Sequence, residues 1–102
     1  MDKDAAANKF VKLVNAGIKS RVHLSETYPV GTKLSYRLTF ADAGGGRVKL
    51  LPNYVKAQGS GIDALDEDVE KALEKLRTTS FELPEGLTLT DVRGRAFTYR
   101  VE

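Results

Sequence analysis

Residues 33–40 read KLSYRLTF, and this octapeptide decides the fold class: Leu34, Tyr36, Leu38 and Phe40 alternate without a break with Lys33, Ser35, Arg37 and Thr39. Side chains on a strand point by turns to its two faces, so a period of two describes one strand with an apolar face on a core and a cationic face in water. One-sided strands of this kind belong to antiparallel sheets. The flanking segments agree. On the C-terminal side ADAGGG (41–46) supplies a flexible turn, after which Val48 and Leu50 alternate with Arg47 and Lys49, predicting a hairpin. On the N-terminal side Val22 and Leu24 alternate with Arg21 and His23, predicting a strand over 19–24 that ends before Tyr28-Pro29-Val30-Gly31. Pro52 has no amide hydrogen to give a central ladder, so the chain through Tyr54 and Val55 is expected to bulge or to lie on a sheet edge.

Helical periodicity brackets these strands. Ala7, Phe10, Val11, Leu13 and Val14 predict a helix over 4–16, with Gly17 as its left-handed terminator. After the break at Gln58-Gly59-Ser60-Gly61, residues Ile62, Leu65, Val69, Ala72, Leu73 and Leu76 recur at intervals of three and four through Arg77, with Asp63 placed to cap the start. Leu87 and Leu89 then alternate with Thr88 and Thr90, and Arg93-Gly94 turns into a strand carrying Phe97, Tyr99 and Val101, which reads as a closing hairpin. The predicted order is α-β-β-β-α-β-β. This is an α+β fold, one domain over residues 1–102, with a largely antiparallel sheet and two helices packed on one face. Leu34, Tyr36, Leu38 and Phe40 should be buried together against Phe10, Val14, Val69, Leu73 and Leu76.

Over residues 4–77 the order α-β-β-β-α is similar to that of the double-stranded RNA-binding domain. Where that family places a lysine cluster at the start of its second helix, this chain has Asp63, Asp66, Glu67 and Asp68, so the family's mode of binding is not carried over.

Composition narrows the function. With 41% hydrophobic and 29% charged residues the chain has enough apolar side chains to build a core, unlike a disordered segment. It has no cysteine, which removes disulfides, thiolate nucleophiles and the usual structural zinc sites and favours a cytoplasmic setting. MDKDAAANKF lacks the basic start and apolar run of an export signal, and no apolar run approaches the roughly 20 residues of a membrane span. Acid–base catalysis has one histidine to draw on, His23, read here as a solvated strand residue. No HExxH, GxSxG, GxxxxGK[ST] or GxGxxG pattern occurs. The acids from Asp63 to Glu74 lack the spacing of a calcium loop, and Gly59-Ser60-Gly61 is followed by carboxylates that oppose a phosphate. The sequence therefore predicts neither catalytic residues nor a metal or cofactor.

Charge is the informative feature. Residues 1–62 hold 10 Lys or Arg against 4 Asp or Glu, whereas residues 63–85 hold 3 against 8. If the helices cover the apolar strand face, Arg21, Lys33, Arg37, Arg47, Lys49 and Arg100 project from the opposite face. Such a face suits a polyanion such as nucleic acid, with Ser35, Thr39 and Thr98 adding hydrogen bonds. Tyr36, Phe40, Phe97 and Tyr99 point the other way, which leaves no aromatic platform for stacked bases. The expected function is a non-enzymatic binding module, regulatory or accessory in role. The alternative is a protein-interaction or assembly subunit that docks through Asp66, Glu67 and Glu70 of the second helix, or through an edge strand near Pro52.

Overall fold

A computed structural model describes residues 3–102. The strand at 33–40 forms, but as two pieces: β1 (Lys33–Arg37) and β2 (Phe40–Gly44) are separated by Leu38 and Thr39 and belong to different antiparallel sheets. One sheet has the order β4-β1-β6, with β4 at Val55–Gln58 and β6 at Ala96–Arg100. The other has the order β2-β3-β5, with β3 at Arg47–Leu50 and β5 at Ser80–Glu82. The bend keeps the predicted alternation, since Leu34, Tyr36, Leu38 and Phe40 are all buried in one cluster with Phe10, Val14, Val69, Leu73 and Leu76. Edge-to-face contacts of Phe10 with Phe40 (5.2 Å between centroids) and with Phe97 (6.2 Å) pin the first helix across both sheets. The Cα radius of gyration, 13.6 Å, is close to the ~13 Å of a 100-residue domain, in keeping with one core.

Three expectations are corrected. The first helix, α1, runs over Lys3–Arg21, so residues 19–21 are helical and the strand predicted at 19–24 does not exist. Its buried stripe Ala7, Phe10, Val14, Ile18 continues through Gly17, which is not a left-handed cap but a point of close approach. A Cβ there would stand 3.1 Å from the Phe81 ring. Arg21 accordingly leaves the sheet set: its guanidinium donates to the Gly17 carbonyl (3.1 Å) and to the Thr79 hydroxyl (3.0 Å) at the helix end.

The second correction concerns the C-terminal third. Residues 87–90 form no strand, because Thr88 caps a one-turn helix, α3 (Leu89–Val92), in a box closed by Asp91. The strand that the sequence reading missed is β5, just three residues long, with Phe81 as its only buried side chain. The last strand is thus β6 between β1 and α1, with no hairpin partner beside it in sequence.

The third concerns order. Four strands, not three, separate α1 from α2 (Asp63–Leu76), so the full order is α-β-β-β-β-α-β-α-β. The likeness in order to the double-stranded RNA-binding domain ends there. The fold remains α+β and wholly antiparallel. Among the described residues no helix is long and apolar enough to cross a membrane.

Candidate functional site

The sheet β4-β1-β6 has two unlike faces, set by its register. Leu34 lies opposite Tyr99, and Tyr36 opposite Phe97 and Lys56, all toward α1 and α2. On the other side Lys33 lies opposite Arg100, Ser35 opposite Thr98 and Gln58, and Arg37 opposite Ala96 and Val55. These outer residues are exposed or half-buried, Val55 at 60%. The three strands, KLSYR, VKAQ and AFTYR, contain no acidic residue at all.

The two faces treat their cations differently. On the inner side the Lys56 ammonium lies 2.8 Å from Asp66 and 3.7 Å from Glu70, and its hydrogen bond to Asp66 holds its pKa above the usual lysine value. On the outer side Lys33, Arg37 and Arg100 make no ion pair among the described residues. Arg37 donates to the Gly94 carbonyl at 3.0 Å, and Ser35 and Thr98 share a hydrogen bond of 3.0 Å. Glu102, two residues beyond Arg100, is taken by Lys19 at 2.6 Å. Arg93, which the sequence reading passed over as a site, is exposed and precedes Gly94, whose carbonyl accepts from Arg37.

The six predicted cations are therefore not one patch. Lys33, Arg37 and Arg100 share this face. Arg47 and Lys49 stand on β3 of the other sheet, where Glu82 lies directly opposite Arg47 and Arg47 donates to the Ser80 hydroxyl (2.7 Å) and carbonyl (2.8 Å). Arg21 is spent on the end of α1.

The acids of α2 are mostly committed within the molecule. Asp66, 5% exposed, accepts from Lys56 and from the Ser60 amide (3.1 Å) and hydroxyl (2.5 Å). Burial raises its pKa, but Lys56 and Ser60 outweigh that and hold it below the ordinary aspartate value. This contact replaces the cap expected from Asp63, since the capping position is Ile62 with no side-chain bond. It also takes the Ser60 amide that a phosphate would need. Asp68 accepts at one oxygen from the Ser25 amide, the Ser25 hydroxyl and the Tyr28 hydroxyl, each at 2.9 Å. Glu70 accepts from the Tyr36 hydroxyl at 2.6 Å, and that tyrosine's pKa is pushed up by burial and by the carboxylate. Of the residues predicted for protein docking, Glu67 alone is fully presented to solvent; Asp66 is buried and Glu70 is half-buried.

Ser60, Asp66 and Lys56 touch, but a lysine held charged by two carboxylates cannot act as the base of a serine nucleophile. His23 is exposed in the irregular segment after α1, not on a strand. Among the described residues no three acidic or histidine side chains converge on a metal position. An open cleft of about 980 Å³ between α1 and the loop after β5 is lined by Lys9, Lys12, Leu13, Glu82 and Glu85, opposed charges without a buried polar set.

The edge strand is guarded. β4 has four residues, carries a bulge at Ala57 between its Tyr36 and Ser35 registers, and turns Lys56 inward, all features that resist pairing with another strand. At the opposite edge the Thr98 amide donates to Asn15 of α1 at 3.2 Å. In comparisons with known proteins, no family model, no curated protein and no solved structure matches this chain.

Proposed function

We propose that the protein is a non-enzymatic binding module that meets a polyanion, nucleic acid above all, with the outer face of β4-β1-β6. The observation that carries this reading is the set of three cations, Lys33, Arg37 and Arg100, that make no ion pair within 4.0 Å among the described residues, on an open face whose strands hold no acid. Cations so placed neutralise phosphates, and the half-buried hydroxyls of Ser35 and Thr98 offer hydrogen bonds between them. The aromatic residues of these strands face inward, so contact is with the backbone and independent of base sequence.

The test is a titration of DNA and RNA, duplex and single-stranded, at about 50 and 200 mM salt. Wild type should bind with a dissociation constant on the order of 10⁻⁴ to 10⁻⁶ M, weakening as salt rises. Replacing Lys33, Arg37 and Arg100 with glutamine should abolish most of that binding, while Arg47→Gln with Lys49→Gln should change it far less. No binding to any of the four at low salt refutes the reading and turns the search to a protein partner that meets Glu67.

A further inference from the structure

Resting on that reading, we infer that Lys33, Arg100 and the hydroxyl pair Ser35–Thr98 form a discrete seat for a single phosphodiester of a nucleic-acid backbone. Lys33 and Arg100 are direct cross-strand partners, a relation that brings Cβ atoms to about 4.5–5.5 Å. Two like charges in that position repel, and an acid on a neighbouring strand would relieve them. Here β4 and β6 supply none; Glu102, just beyond β6, is ion-paired with Lys19 at 2.6 Å and acts on Arg100 without pairing with it directly. One Arg100 guanidinium nitrogen lies 3.8 Å from where a side chain on Gly31 would begin, on the side of Lys33 away from Ser35, so the arginine completes the seat by swinging its head along the strand. A bound anion relieves the repulsion that Glu102 leaves.

The next register on the same face gives the seat its donors. Ser35 and Thr98 hydroxyls, 3.0 Å apart, exchange one hydrogen bond in which either is the donor. Two hydroxyls own two protons, so one proton stays free to turn toward an oxygen lying over the pair. Arginine offers a planar fork and lysine a mobile point charge, a combination that fits the two non-bridging oxygens of one phosphodiester. Arg37 stands about 13 Å along the strand from Lys33, too far to share that group, and meets a different phosphate.

Two cations on one phosphate make a countable prediction. On duplex DNA each neutralised phosphate contributes about −0.9 to the slope of log K against log salt. Anisotropy titrations of a labelled mixed-sequence duplex should show the double variant Lys33→Gln/Arg100→Gln losing about 0.9 of slope, with Arg37→Gln losing about the same alone. The affinity loss of the double should fall short of the product of the singles. Ser35→Ala with Thr98→Val should weaken binding roughly 2- to 10-fold and leave the slope unchanged. The Lys33→Gln variant should melt no lower than wild type.

A slope loss near 1.8 for the double variant means separate phosphates and overturns the seat, as does a neutral effect of removing both hydroxyls, while the broader reading stands in either case. Wild type that binds none of the four nucleic acids at low salt but binds vesicles of anionic lipid overturns the seat and the nucleic-acid reading together. If the double variant fails to fold, the singles and the hydroxyl variant still decide the matter through slope and affinity.

Discussion

Truncating Asp68 to alanine should loosen the segment between α1 and β1 and destabilise the whole molecule. One carboxylate oxygen there accepts three hydrogen bonds of 2.9 Å, from the Ser25 amide, the Ser25 hydroxyl and the Tyr28 hydroxyl, and they anchor the irregular chain over 22–32 onto α2. Bonds to a charged acceptor contribute about 1.5–3 kcal/mol each, but these three share one atom and are not additive. Water can reach the exposed Ser25 after truncation, so the expected loss is about 2–4 kcal/mol, or roughly 8–25 °C in melting temperature. Asp68→Asn keeps an acceptor without the charge and should lose about half of that.

The pH dependence has a definite sign. Burial raises the Asp68 pKa, but the Ser25 and Tyr28 donors outweigh it and hold the folded-state value below that of the unfolded chain. Its contribution is therefore complete above the unfolded value of about 3.9 and is lost as pH falls through the folded one. Urea melts at neutral pH and at about pH 3 measure both effects, and Asp68→Asn should lose less stability on acidification than wild type. An alanine variant within about 0.5 kcal/mol of wild type would refute the anchor.

Two further predictions test the core. Leu73→Ala removes a side chain with no solvent exposure and should cost about 2–5 kcal/mol in denaturant melts; an unchanged midpoint would place Leu73 outside the core. Gly17→Val should destabilise by about 1–3 kcal/mol or more despite sitting in a helix, since its Cβ would already be 3.1 Å from Phe81 and 3.3 Å from Leu76. A more stable valine variant would show that α1 does not press on β5 at this point.

What the sequence made legible was periodicity, and what it hid was context. The stripes of α2 and of 33–40 name their buried faces correctly because each apolar side chain reports its own position. The break at Leu38–Thr39 leaves no such trace, since a strand that passes from one sheet to another keeps its alternation through the bend. Val22 and Leu24 mislead for the opposite reason. Alternation over so few residues is also what the end of a helix followed by loop can show, and Ile18 four residues past Val14 carried the truer period. Thr88 and Asp91 formed a readable capping box that a count of alternating leucines overrode. At the candidate site, the outer placement of Lys33, Arg37 and Arg100 followed from alternation, whereas the direct pairing of Lys33 with Arg100 depends on register, which one sequence does not specify.

The segregation of charge along the chain acquires a physical role once the two sides of the sheet are compared. Tyr36, on the inner side of β1, bonds Glu70 of α2, so the acidic helix lies across the sheet from Arg37 and its companions. Asp66, Asp68, Glu70 and Glu74 hold Lys56, Ser25, Tyr28, Tyr36 and Tyr54 in place, and these contacts keep the carboxylates on the inner side, away from the outer cations. On the helix side the six acids and two lysines of α2 are balanced by the five bases and one acid of α1, so that side is near neutral and only the outer sheet face is one-signed. On the proposed polyanion reading, a total of +2 still gives the encounter a preferred orientation, because attraction is concentrated on the one-signed outer face. Glu67→Lys is the variant that isolates this effect: it touches no phosphate, so it should strengthen binding at low salt through the association rate and lose that advantage as the Debye length shrinks to about 8 Å near physiological salt. Stopped-flow association with duplex DNA at two salt concentrations measures it, and a change confined to the dissociation rate would contradict steering and place Glu67 in the contact itself.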